Sequence, residues 1–170
     1  MAVAQVLEVR MARLTPTHHR LTYRRPDGTG ETIELESRST LYHDLLHFAF
    51  ESEAKLRRSF YGHLADAASY AQISEMGVQY RDEIMLTEKM IGIMTGWLKS
   101  GKDAAACIAM MEMMLGSYGD AVPSWFTPDF AERVRERMRR LVGEWSKLRF
   151  GQEIVLRFEL ADGGEMANSK

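Results

Sequence analysis

Two histidines four residues apart, His43 and His47, stand in the segment Leu41-Tyr-His-Asp-Leu-Leu-His-Phe-Ala-Phe-Glu51. On a helix, residues at i and i+4 lie about 5–6 Å apart at Cβ, a spacing that lets two imidazoles converge on one divalent ion. His47 and Glu51 have the same spacing. At 100° per residue, His43, Asp44, His47, Glu51 and Lys55 share one arc, with Leu41, Leu45, Leu46, Phe48 and Ala49 on the other side. His43 and Glu51 are about 12 Å apart along the axis at 1.5 Å per residue, so a site here needs a ligand from elsewhere.

Zinc takes three or four ligands, which makes His63 and Asp66 further along the chain, or His18 and His19 before it, the candidates for completion. A helix hairpin places a partner 16 to 20 residues downstream opposite the first pair, which favours His63. Asp44 serves either as a ligand or as the acceptor that orients an imidazole N–H. The candidate metal set is therefore His43, Asp44, His47, Glu51 and His63, with a divalent metal, zinc first, as the cofactor. Catalysis would further need an open coordination position and a base such as Glu51 or Glu53 near a bound water. The competing reading of the same arc is a solvated helix face on which the histidines pair with Glu51.

His43-Asp44-Leu45-Leu46-His47 resembles the HDxxH element of a family of ubiquinone-biosynthesis proteins. That resemblance implies a zinc-type site and a lipid-quinone precursor as ligand. The family carries a glutamate twelve residues after the second histidine, where this chain has Ser59. The His43-Asp44 doublet also resembles that of the HD-type phosphohydrolases, which implies metal-dependent phosphoester hydrolysis. Those proteins use an earlier histidine and a later aspartate, for which His18 or His19 and Asp66 are the counterparts.

Composition narrows the remaining classes. The chain has 170 residues, 45% of them apolar, which suffices for the core of one ordinary domain. A formal net charge of −2 removes the basic footprint of a protein that coats nucleic acid, so nucleic acid is not an expected partner. Arg133, Arg135, Arg137, Arg139 and Arg140 read instead as a solvated helix surface with Glu132 and Glu136 as partners. No apolar run reaches the ~20 residues of a spanning helix, and the first ten residues lack the pattern of a secretory signal. A cytoplasmic protein is the expectation. The one cysteine, Cys107, lies among alanines and reads as buried and inert. The run Ile108-Ala-Met-Met-Glu-Met-Met-Leu115 reads as flexible core filler rather than a copper site. Walker and Gly-x-Ser-x-Gly signatures are absent from the sequence.

The elements that must carry the histidines follow from periodicity. Leu21 and Tyr23, then Ile33 and Leu35, alternate with polar neighbours around Pro26-Asp27-Gly28, which predicts a β-hairpin. Val9, Met11 and Leu14 would add a strand or a frayed helix. Ser39 or Thr40 caps a helix over 40–56. A second helix runs from Ser59 to near Met76, a third over 81–99, a fourth after Asp103, and a fifth over 128–147 with Thr127 and Pro128 at its start. Ala121-Val-Pro-Ser-Trp-Phe is a loop whose Trp125 and Phe126 form a lid, an oligomer contact or a plug in the core. Trp145 and Phe150 anchor the fifth helix to the sheet. Ile154, Leu156, Phe158 and Leu160 alternate as a strand that pairs with the hairpin.

The expected fold class is α+β: a small antiparallel sheet, from the N-terminal hairpin plus the C-terminal strand, packed with about five helices. Residues 1–160 form a single globular domain, and 161–170 a disordered tail. The expected function is a divalent-metal or polar-ligand site on the 40–56 helix. The alternatives are a non-catalytic interaction or regulatory module, including a homo-oligomer, and a metal-dependent phosphohydrolase.

Overall fold

The structure, a computed structural model, describes residues 5–75 and 81–160. In chain order the elements are β1 (Val6–Arg13), β2 (His18–Arg24), β3 (Gly30–Glu36), α1 (Ser37–Ala54), α2 (Phe60–Ala65), α3 (Tyr70–Ser74), α4 (Arg81–Ser100), α5 (Ala104–Ser117), α6 (Pro128–Lys147) and β4 (Glu153–Glu159). This is the α+β class read from the sequence. The tail over 161–170 lies outside the described residues.

The four strands form one antiparallel sheet in the order β3-β2-β1-β4. The C-terminal strand does not pair with the hairpin directly. β1, a strand where Val9, Met11 and Leu14 allow either a strand or a frayed helix, lies between them. Its Leu7, Val9 and Met11 are fully buried, a period of two that turns one face to the core. Val9 stands opposite Tyr23 on one side and Leu156 on the other, and Met11 opposite Leu21 and Ile154, so the inward faces of three strands stack in register.

The hairpin turns where expected. Gly28 takes φ +86°, and the Asp27 carboxylate accepts from the Thr29 N–H and hydroxyl. β3 runs straight into α1, which starts earlier than Ser39 or Thr40 predicts. Glu36 is its cap, accepting from the Ser39 N–H at 2.8 Å. Lys55, at φ +53°, ends the helix with its N–H on the Glu51 carbonyl.

The single helix expected from Ser59 to near Met76, whose end lies outside the described residues, is two short ones as far as Glu75. The chain breaks at Ala67, which takes φ +78°. Arg25 of the hairpin holds the break by donating to the Leu64 carbonyl at 2.6 Å and the Ala68 carbonyl at 2.9 Å. Those hydrogen bonds to free carbonyls replace the ones a continuous helix would make.

The methionine-rich run of α5, expected as core filler, is so only in part. Ala104, Cys107, Met111 and Leu115 form its one buried edge, while Met113 is 69% exposed. Cys107 is fully buried, as expected, and its thiol donates to the Met94 sulfur.

Trp125 and Phe126 plug the core: both rings pack on Phe50 and Phe130. Trp145 meets His19 of β2 edge-on, whereas Phe150 is 58% exposed under Arg13. The arginine row of α6 is not only a solvated face. Arg133 and Arg137 pair with Glu53 of α1, and Arg135 lies 3.9 Å above the Trp97 ring of α4. These contacts fix α1 against α6, and α6 against α4. Among the described residues, no helix is long and apolar enough to cross a membrane.

Candidate metal centre

α1 is not an amphipathic surface helix. Every residue from Asp44 to Phe50 is buried, and so is Glu51. Asp44, His47 and Glu51 are 4%, 1% and 0% exposed, so the middle of the polar arc is buried, while His43 and Lys55 at its ends reach solvent. An arc of this kind inside a protein must satisfy its hydrogen bonds and charges locally.

The Glu51 carboxylate does this for the interior end. It accepts from His47 Nδ1 at 2.8 Å, from the Phe60 N–H at 3.2 Å and from the Tyr61 N–H at 2.9 Å. Phe60 and Tyr61 open α2, whose N-cap, Ser59, makes no side-chain capping bond. A carboxylate from another helix therefore fills the place of the cap, where exposed N–H groups favour negative charge. The turn that brings them there is tight. A Cβ on Gly62 would stand 1.9 Å from the Arg57 carbonyl oxygen, so only glycine fits.

Asp44 plays the matching part for the other histidine. Its Oδ1 lies 3.5 Å from His43 Nδ1, and its Oδ2 accepts from the Tyr70 hydroxyl at 3.4 Å. The Tyr61 hydroxyl donates to the Asp44 backbone carbonyl at 2.9 Å. Tyr70 is itself placed by its N–H on Glu31 of β3, which the Tyr23 hydroxyl also contacts. Burial first, and then the Asp44 charge, raise the Tyr70 hydroxyl above the ordinary phenol range, which keeps it a donor.

With their Nδ1 atoms turned to Asp44 and Glu51, both imidazoles present Nε2 to one residue, Glu88 of α4. His47 Nε2 is 3.0 Å from Glu88 Oε1, and His43 Nε2 is 3.4 Å from Oε2. The two rings lie 4.5 Å apart between centroids. One ligand atom from each of His43, His47 and Glu88 falls within 4.8 Å of the other two, so the three side chains converge on one point. The His47–Glu88 approach is an ion pair off the line of a hydrogen bond, so this buried Nε2 has no in-line acceptor.

The electrostatics follow from these pairs. Burial alone would lower His47, but Glu51 and Glu88 together raise it to about 10. Asp44 first and Glu88 second raise His43 to about 9. Burial would raise Glu88, yet the two histidines hold it down to about 2. Without metal, the cluster is a carboxylate between two imidazolium rings.

The sequence-derived candidates divide accordingly. His43 and His47 converge, while Asp44 and Glu51 stand behind them as acceptors. His63 is buried on α2, where burial lowers its pKa, and it is not one of the three converging residues. The third is Glu88. His18 is exposed beside Thr17, and His19 is buried with Nδ1 on the Ser37 hydroxyl. Asp66 is exposed. Neither Glu51 nor Glu53 is placed as a free base, since Glu53 is held by Arg133 and Arg137.

Glu88 is absent from the candidate set because helix spacing relates only residues close in sequence to the histidines. One signal was present. Ile84, Ile91 and Met94 mark the buried stripe of α4, and Glu88 occupies that stripe one turn after Ile84. A carboxylate inside an apolar stripe asks for a partner.

No protein-family model, curated protein or solved structure matches this chain. The five-residue and two-residue resemblances therefore carry no family assignment.

Proposed function

We propose that this protein binds one divalent transition metal, zinc first, through His43 Nε2, His47 Nε2 and a Glu88 carboxylate oxygen. A single observation carries the reading: two imidazoles, each with Nδ1 at a buried carboxylate, turn Nε2 to the same third carboxylate. Metal-bound histidines usually donate their other N–H to such an acceptor, which fixes the tautomer and strengthens the ligand. Two nitrogens and one oxygen suit zinc and other first-row divalent ions better than magnesium or calcium, which favour all-oxygen sets. Asp44 and Glu51 act as positioning residues, and His63 lies outside the ligand set.

A phosphohydrolase of the HD kind is not favoured, because its counterpart residues His18, His19 and Asp66 do not join the cluster. The test is metal analysis of the full chain purified without a histidine tag, then incubated with zinc and dialysed. One zinc per chain, lost in the His43→Ala/His47→Ala pair and in Glu88→Ala, supports the assignment. No retained zinc and no thermal shift on adding it would remove the assignment.

A further inference from the structure

We infer that the metal centre is an open one, keeping coordination positions on its His43 side for a small oxygen-donor ligand with at most one negative charge, such as a carboxylate or hydroxamate. This rests on the metal reading above. Among the described residues, only three side chains converge, whereas a zinc site closed by protein has four. Among the described residues, the carboxylates behind the two histidines are not spare. Glu51 is occupied by His47 and two backbone N–H groups, and Asp44 by His43 and Tyr70.

Exposure gives the direction. The His47 side chain is 1% exposed, Glu88 25% and His43 48%, so the fourth position opens where His43 and Glu88 meet solvent. A centre with three protein ligands and one solvent-facing side holds water or an exogenous ligand.

Charge sets the ligand class. Counted formally, a divalent ion with Asp44, Glu51 and Glu88 leaves the centre one negative charge in excess. Among the described residues, the ion pairs of Asp44, Glu51 and Glu88 are with histidine, and histidines bound to metal are neutral. A dianion such as inorganic phosphate would add two like charges to that excess, whereas a monoanion or a neutral oxygen donor adds less.

The experiment uses the full chain loaded with cobalt(II), whose visible bands report its coordination, titrated separately with acetohydroxamate and with inorganic phosphate. Cobalt uptake that persists unchanged in His47→Ala would overturn the metal reading itself. Given uptake that needs His47, the open centre requires a saturable change in the bands with acetohydroxamate, cobalt staying with the protein after filtration. Phosphate is expected to bind at least about tenfold more weakly, a difference of about 1.4 kcal/mol. Unchanged bands with acetohydroxamate, or cobalt lost to the filtrate, would overturn the open position. Phosphate binding tighter than that limit would overturn the charge restriction.

Discussion

The His47 imidazole and the Glu51 carboxylate meet at 2.8 Å inside the protein, one turn apart on α1, with 1% and 0% of their side chains exposed. The pair does two things at once, because the same carboxylate also caps α2 through the Phe60 and Tyr61 N–H groups. Site geometry and the fold of residues 55–65 are therefore coupled.

Replacing Glu51 should expose that coupling. Glu51→Ala leaves two backbone donors and a buried imidazole without their acceptor, and removing one partner of a buried pair costs about 3–5 kcal/mol. Urea unfolding of the metal-free protein should show a loss of that order. A change under about 0.5 kcal/mol, the range of ordinary surface substitutions, would mean that Glu51 is not the buried acceptor described.

Gly62→Ala acts on the same turn from the other side. Its Cβ would collide with the Arg57 carbonyl, a backbone atom that cannot swing away. Overpacking of this kind costs about 1–3 kcal/mol. Thermal melting should show the loss, and zinc affinity should fall with it because the collision disturbs the Glu51 grip on His47. A variant as stable as the parent would contradict the close approach.

How much of this could be read from residue order depends on how local each signal is. The hairpin, α5, α6 and the last strand carry their own turn, cap or alternation, and they stand close to where periodicity puts them. β1 had its signal too, in Leu7, Val9 and Met11, but its place at the centre of the sheet depends on both neighbours. The wheel on α1 finds His43, Asp44, His47 and Glu51 but does not separate a ligand cluster from a solvated face. Nothing local to α1 shows that α2 and Glu88 of α4 cover it. Glu88 lies 41 residues from His47 in sequence, the difference of their numbers, and only packing of α4 on α1 brings them together. The break at Ala67 was invisible for the same reason, since the Arg25 that holds it belongs to the hairpin.

Metal uptake should release protons. Near neutral pH, His43 and His47 are both protonated in the metal-free protein, raised to about 9 and about 10. A divalent ion needs both rings neutral, so two protons leave, one from each ring, as it enters. Calorimetry of zinc binding in buffers of different ionisation enthalpy should report that release. No buffer dependence would exclude two imidazoles as ligands.

The metal-free protein should show the opposite trend with pH. His43 and His47 are held above their ordinary 6.5, so their contribution to stability is complete below 6.5 and fades as pH rises through about 9 and 10. Glu88 is held below its ordinary 4.5, so its contribution is complete above 4.5 and is lost as pH falls toward about 2. Unfolding in the presence of a chelator should therefore show a decline from pH 7 to 9 that Glu88→Gln flattens. An identical slope in parent and variant would contradict the cluster.

Cys107 should be chemically silent while the protein is folded. Burial pushes its thiol up to about 12, and the thiol faces Met94 with no exposed surface. The thiolate is the reactive form, so a thiol reagent at pH 8 should label the protein only on unfolding. Rapid labelling of the native chain would show that α5 does not pack as described.

The central claim concerns one position in space, and anomalous scattering at the zinc edge from crystals of the zinc-loaded protein locates it directly. The account requires a single peak about 2.0–2.2 Å from His43 Nε2, His47 Nε2 and a Glu88 carboxylate oxygen. A peak at His18, His19 or His63 instead, or no peak between α1 and α4, would contradict it.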